Sequence, residues 1–264
     1  MSKVLYKYYS SDYLVDTQKL STLQNMQFWF GGNKIQNDPY DLIGANDFLH
    51  KSYVGRNLMK YITSKSGKVD LFKNQVNQFA SCSFSRVSTE RLMWAHYADS
   101  YKGFCVAYQF DLPELLHNVI YLDKFPVSGL SYNHNGQIYS IEQILDEWLS
   151  NNNINTIAEL ITSFATIKSQ EWVYEQEERL IEKIKKESGD NFNWSKYHAS
   201  PKYIIFGSRF DYKRNGKQMS QILSKWKMSK SELFSIKTEA LEHFDISVEN
   251  LDTSTISKYF NLLK

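Results

Sequence analysis

Apolar and polar positions along the chain alternate in short blocks rather than in a long repeat. Residues 4–9 (VLYKYY) and 26–30 (MQFWF) are aromatic runs with β preference, and the polar stretch between them predicts a helix over 15–24. The chain then reads GGNKIQNDPYD over 31–41, which predicts an ordered loop: Asn and Asp side chains bond their own backbone, and Pro fixes φ. Residues 44–76 lean helical, and 78–85 (QFASCSFS) alternate as a strand does. Ser88-Thr89-Glu90-Arg91 places a capping residue and an acid ahead of LMWAHYA, a helix that Gly103 would close. FCVAYQF (104–110) has the β-branched and aromatic content of a buried strand.

Another strand is expected over 119–127 (VIYLDKFPV). Apolar residues at helical spacing (Ile141, Ile144, Leu145, Trp148, then Ile157, Leu160, Ile161, Phe164, Ile167) predict two helices in a helical insertion of about 140–170. YIIFG (203–207) reads as a strand closed by glycine, a helix is expected around 216–226, and ELFSIKTEALEHFDISVENL returns to strand. No repeat, low-complexity tract or linker interrupts this order, so the expectation is one α+β domain over residues 1–264, with helices flanking the sheets.

Composition narrows the function classes. With 42% hydrophobic and 23% charged residues among 264, the chain is globular in type. Its 18 Tyr and 16 Phe supply buried faces and stacking surfaces for flat ligands. A net charge of +2 excludes a global field of the kind that marks an obligate nucleic-acid binder. Lys202, Arg209, Lys213, Arg214, Lys217, Lys225 and Lys227 do concentrate positive charge late in the chain, which suits either a phosphate-bearing partner or a solvated face. Cys82 and Cys105 are too few for a disulfide framework and lie in apolar segments, as buried thiols in a reducing compartment do. The start, MSKVLYKYYSS, has no long apolar run and no stretch is long enough to span a bilayer, so a cytoplasmic protein without membrane contact is expected.

Three constellations carry candidate chemistry. In WVYEQEERLI (172–181), an extended backbone would put Glu175, Glu177 and Arg179 on one face and Gln176, Glu178 and Leu180 on the other. Two carboxylates and a guanidinium on one wall can hold ribose hydroxyls and favour a cationic transition state. A helix would instead make Glu175 and Arg179 an ordinary i,i+4 pair. The second group is Ser83 and Ser85 with Trp94, His96 and Tyr97, hydroxyls for an amide or phosphate and rings for a base; core packing is the competing duty of Trp94 and Tyr97. The third is Tyr6-Lys7-Tyr8 with Trp29 and the loop Asn37-Asp38-Pro39-Tyr40-Asp41. The His and Cys residues lack metal-ligand spacing, and neither a phosphate loop, a GxGxxG fingerprint nor a GxSxG elbow is present.

Taken together, LYKYYS, FWFGGNKIQNDPYD, SCSFSR, LMWAHYADSYKGFCVAY, WVYEQEERL and YIIFG resemble, in order and spacing, the DUF2971 family of bacterial proteins over residues 5 to about 210. The layout is more loosely similar to ADP-ribosyltransferases, including toxins that modify nucleic acids. That similarity implies split mixed or antiparallel sheets with NAD as co-substrate across the split and no metal. It gives Lys7 or Tyr8 the first-strand role and Ser83 or Ser85 the middle-strand role. Glu177 becomes the catalytic residue, with Glu175 two positions upstream. Trp29, Asn37, Asp38, Trp94, His96, Tyr97 and Arg179 join the cofactor-binding set by the same comparison. The first strand lacks the Arg or His of better-known branches, and the middle strand lacks Ser-Thr-Ser. The implied activity is ADP-ribosyl transfer by a toxin or phage-defence effector. RNA or DNA is favoured over protein as the acceptor, and an antitoxin or chaperone would restrain the enzyme. The alternatives are a nucleotide-sensing or partner-binding module without catalysis, or an NAD glycohydrolase.

Overall fold

The computed structural model describes residues 1–32, 69–123, 131–134, 137–140, 165–186, 188–238 and 246–260, with isolated positions between 56 and 64 and between 143 and 162. Among them, in chain order, are strands β1 (Lys3–Tyr9), β2 (Gln27–Gly32), β3 (Phe79–Ser85), β4 (Phe104–Phe110), β5 (His117–Asn118), β6 (Ile120–Leu122), β7 (Ser131–His134) and β8 (Gln137–Ser140). They continue as β9 (Ile167–Ser169), β10 (Glu177–Lys183), β11 (Gly189–Asn193), β12 (Ala199–Phe206), β13 (Leu233–Thr238) and β14 (Ile246–Asn250). The α-helices are α1 (Thr17–Gln24), α2 (Val69–Val76), α3 (Arg91–Tyr97), α4 (Tyr212–Trp226) and α5 (Thr253–Tyr259). The chain is thus of α+β class, built on one mixed sheet.

Strand periodicity explains the layers. Leu5 and Tyr9 of β1 enter one core with Phe28, Phe30, Phe84, Phe104, Val106 and Tyr108, while Tyr8 and Cys105 point the other way into a smaller core with Met93 and Trp94 of α3. Leu23 of α1 and Met219, Ile222, Leu223 and Trp226 of α4 belong to the large core. Hence α1 and α4 cover one face of the sheet and α3 covers the opposite face.

The main sheet runs β11-β2-β3-β1-β4-β12-β13-β14, with β10 paired to β3 and β5 beyond it. Its pairs are antiparallel except β12 with β13, and β6 and β9 form a separate parallel pair. Strand β3 organises the site. One edge pairs with β10 at every residue from Phe79 to Ser85. The other edge is shared: β2 lies opposite Ala80 and Ser81, and β1 meets it at Ser85. Between those points the sheet forks, and Lys7 Nζ crosses the gap to donate to the Ser83 carbonyl at 3.0 Å.

Several boundaries differ from the expectations. The helix cap before LMWAHYA is Glu90, whose carboxylate accepts from Leu92 N, rather than Ser88. Helix α3 ends at Tyr97, and three consecutive left-handed residues follow (Asp99, Ser100 and Tyr101, φ 49, 51 and 70), so Gly103 stands just ahead of β4 instead of closing the helix. Ile167, read as helical from its spacing, lies in β9, where edge-to-edge pairing with β6 overrides a 3.6-residue pattern. Residues 172–181 are only partly extended: Gln170–Glu175 is a 3-10 turn, Gln176 is left-handed at φ 43, and the strand starts at Glu177. Most of the expected insertion at 140–170 and the whole NDPYD loop, including Asn37 and Asp38, lie outside the described residues.

Candidate functional site

The register of β10 against β3 sets one wall of the site. Glu177 lies opposite Ser85 and Arg179 opposite Ser83, all on the α3 face, while Glu178 and Leu180 lie opposite Phe84 and Cys82 on the large-core face. The 3-10 turn and the left-handed Gln176 then fold the chain back, so that Glu175 reaches the same wall from outside the strand. Ser85 fixes that turn: its hydroxyl donates to the Glu175 carbonyl at 2.7 Å and accepts from Val87 N at 3.1 Å.

Four buried charges meet there. Arg179 grips Glu177 with two N–H groups, Nε to Oε1 at 2.7 Å and Nη2 to Oε2 at 2.9 Å, and its Nη1 donates to the Ala165 carbonyl at 2.6 Å. Lys168 of β9 bridges the carboxylates, 2.6 Å from Glu175 Oε2 and 3.1 Å from Glu177 Oε2. The Tyr97 hydroxyl donates to Glu175 Oε1 at 2.6 Å. The cation of Lys168 also stands 4.9 Å from the centre of the Trp172 ring.

The two carboxylates are not equivalent. Burial pushes the Glu177 carboxyl up, but Arg179 and then Lys168 outweigh it, with hydrogen bonds from Arg179 and Ser83, and hold it well below the usual carboxylate range. Burial also pushes Glu175 up; Lys168 opposes this only in part, and the negative charge of Glu177 adds to it, so its carboxyl titrates above the ordinary value. Three cationic N–H groups occupy Glu177, whereas Glu175 accepts from one ammonium and one phenol. A carboxylate offers roughly four acceptor sites, so Glu175 keeps more capacity for a ligand.

At the fork of the sheet both carboxylates border a cavity of about 290 Å³, at the lower end of the range for small-ligand sites. Tyr6, Lys7 and Tyr8 wall it on one side and Trp29 and Gly31 on the other; residues 81–85 lie between, and Met93, Tyr97 and Lys168 complete the lining. Among the described residues no group of three His, Cys, Asp or Glu side chains is placed to hold a metal ion. No helix among them is long and apolar enough to cross a membrane. Both cysteines are buried, and burial pushes their thiols up, Cys82 with partial opposition from Lys7.

Of the residues singled out by sequence, Lys7, Tyr8, Trp29, Ser83, Ser85, Tyr97, Glu175 and Glu177 line this one cavity. Trp94 does not. It is fully buried, donates to the Ser88 carbonyl at 2.7 Å and packs edge-on against Tyr8, which corrects its ligand-stacking assignment to core packing. Arg179 is likewise fully buried and spends its donors on Glu177 and Ala165, so it positions a carboxylate instead of contacting a cofactor. His96 is exposed on α3 outside the cavity lining, its ring 6.4 Å from those of Tyr97 and Tyr174. Lys168 was missed by sequence reasoning. The available signal was a single cation in the short run Ile167-Lys168-Ser169, nine residues before Glu177.

Residues 93–180 match the family described as a protein of unknown function, DUF2971. Over that segment, about a third of the chain, the sequence is similar to DUF2971 proteins. The DUF2971 segment supplies Met93, Tyr97, Lys168, Glu175, Glu177 and Arg179, whereas Lys7, Trp29, Ser83 and Ser85 come from the strands that precede it. Lys168, Glu175 and Glu177 therefore lie within the matched segment, and the fork that opens the cavity is built by β1, β2 and β3 outside it. No curated protein and no solved structure matches the chain.

Proposed function

We propose that the forked cleft binds NAD and transfers its ADP-ribosyl group to a macromolecular acceptor. The observation that carries this reading is the pair of buried carboxylates of unequal state at one cavity wall, one locked and ionised, the other only half occupied. The bond from nicotinamide nitrogen to the anomeric carbon breaks, and nicotinamide leaves with the electron pair. A nucleophile of the acceptor bonds to that carbon, and its proton passes to Glu175. Glu177 supplies fixed negative charge facing the positive charge that develops on the ribose, and Arg179 and Lys168 keep it from moving or protonating. Glu175 fits the proton-accepting role because its raised pKa brings it nearer to working pH. Lys7 and Trp29 offer a donor and an aromatic face for the nicotinamide end, while the rest of a dinucleotide would extend beyond a cavity of about 290 Å³.

The test is incubation of the protein with labelled NAD and cell extract. Label in nucleic acid, absent with Glu175→Gln, supports transfer to RNA or DNA; label in protein moves the acceptor class. Free ADP-ribose alone would make the enzyme a glycohydrolase. Binding of NAD without consumption would make the cleft a sensing module, a reading favoured by the two cationic side chains already on Glu177. An enzyme of this kind injures its host, as a toxin or defence effector does. Free expression should therefore slow growth, and an antitoxin or chaperone partner should relieve it.

A further inference from the structure

The side of the sheet away from the cleft carries a cationic groove that the chemistry above does not use. Along α4, Lys213, Lys217, Gln221 and Ser224 recur at helical spacing on the outer stripe, while Met219, Ile222 and Trp226 on the inner stripe enter the large core. Helix α5 closes the other side. A Cβ on Gly216 would stand 2.9 Å from the Tyr259 carbonyl oxygen, so glycine there lets the two helices approach and brings Lys258 alongside the α4 lysines. The resulting groove of about 670 Å³ is lined by Lys213, Lys217, Lys225 and Lys258, with no Asp or Glu among the described residues of its wall.

Among the described residues none of these four ammonium groups is ion-paired with a carboxylate. The nearby acids are engaged as helix caps: Asp211 accepts from Arg214 N at 2.9 Å, and Asp252 accepts from Ser254 Oγ at 2.6 Å and Thr255 N at 2.8 Å. One end of the groove is walled by the rings of Tyr212 and Tyr259, stacked at 5.9 Å.

We propose that this groove binds the phosphate backbone of single-stranded nucleic acid. Rotatable lysine point charges, with serine hydroxyls and glutamine amides between them, suit sequence-independent contacts to phosphate and sugar oxygens. The tyrosine rings at one end add a face on which a base can stack. An acidic peptide would be the other polyanion, but it carries no flat base to occupy the tyrosine face at the groove's end. Lys213, Lys217 and Lys225 belong to the basic run visible in the sequence, and the fold adds Lys258, while Lys202, Arg209, Arg214 and Lys227 lie outside the lining. Binding here needs no NAD, so the inference stands apart from the cleft reading.

The experiment is fluorescence anisotropy of a labelled uridine oligonucleotide with the full chain, without NAD, between about 50 and 200 mM salt. Two fourfold variants are compared, one with Lys213, Lys217, Lys225 and Lys258 changed to Gln, the other with Lys202, Arg209, Arg214 and Lys227 changed to Gln. Circular dichroism confirms that both fold, and an all-arginine version of the groove lysines restores the charge. The expected result is a loss of at least ~10-fold in affinity for the groove variant, with the log–log salt slope reduced by about 0.7 for each lysine that contacts a phosphate. The off-groove variant should stay near wild type, arginine should rescue, and Glu175→Gln should bind normally. Absence of binding at low salt, or equal losses in the two variants, would overturn the proposal. So would displacement by polyglutamate as effective as by unlabelled oligonucleotide, which would reassign the groove to an acidic protein.

Discussion

Lys168 and Glu175, seven positions apart, form a buried ion pair with Nζ 2.6 Å from Oε2, and that contact ties β9 to the turn that precedes β10. With Arg179 and Glu177 it makes a four-charge cluster whose formal charges cancel, two cations against two anions. Removing one member leaves an uncompensated buried charge, which costs roughly 3–5 kcal/mol. Lys168→Met should therefore lose about that much in urea unfolding. Lys168→Met combined with Glu175→Gln should lose clearly less than the sum of the two single changes. Strict additivity would mean that the two side chains do not interact in solution.

The different states of the two carboxylates predict different failures. Glu177→Gln removes the anion that Arg179 and Lys168 enclose, so the expected effect is mainly on stability, about 3 kcal/mol in urea unfolding. Glu175→Gln keeps the size and much of the hydrogen bonding of its side chain, so consumption of labelled NAD should fall by about 10²-fold with a smaller loss of stability. Glu178 looks like a natural control because it faces away from Glu177, yet it is buried and ion-paired with Lys3 at 2.5 Å. Glu178→Gln should lower stability while leaving turnover per folded molecule unchanged. The exposed Glu171 is the neutral comparison.

Acidity should act on the pair in opposite directions. The Glu177 pKa is lowered by folding, so its contribution is present above the ordinary value of 4.5 and is lost as pH falls through the folded value. The Glu175 pKa is raised, so its contribution is full below 4.5 and declines as pH rises through the folded value. Urea midpoints measured from about pH 3.5 to about pH 8 should show a shallower acid limb in Glu177→Gln and a smaller decline toward neutrality in Glu175→Gln. The reverse pattern would show that the roles of the two carboxylates have been exchanged.

Local pattern made much of this legible and global pairing the rest. β1, β3 and β4 were readable because aromatic and β-branched residues alternate in runs as long as the strands themselves. Glu175, Glu177 and Arg179 do converge, but by a different route from uniform extension: a 3-10 turn and the left-handed Gln176 carry Glu175 to the wall. Nothing in Trp172-Val173-Tyr174 announces that turn. Lys168 was illegible because its meaning depends on β9 pairing with β6, a parallel contact between segments 47 residues apart at Ile120 and Ile167. Trp94 failed the other way, since helical spacing gave both a core and a ligand reading and complete burial decided for the core.

The close approach of Gly103 to β1 yields the last prediction. A Cβ placed there would stand 2.0 Å from the Tyr9 carbonyl oxygen and 3.1 Å from that of Ala98, and both obstacles are backbone. Replacing glycine by alanine at an unstrained position stabilises by about 0.4–1 kcal/mol through the unfolded state, so the usual sign is favourable. Here the overlap has no flexible side chain to yield, and β4 would have to move away from β1, where it is paired from Phe104 to Phe110. The displaced turn also carries Tyr101, whose ring stacks 6.0 Å from Trp94, which in turn packs on the cavity-lining Tyr8. Overpacking of this kind costs about 1–3 kcal/mol, and a chain of this size loses roughly 2–4 °C in Tm per kcal/mol. Gly103→Ala should thus lower Tm by roughly 2–12 °C and weaken ligand binding in the cleft. Ser100→Gly, three residues earlier, relieves a left-handed φ of 51 and should raise Tm slightly. If Gly103→Ala unfolded at the wild-type temperature, the contact between the α3–β4 turn and β1 would have to be looser than the structure has it.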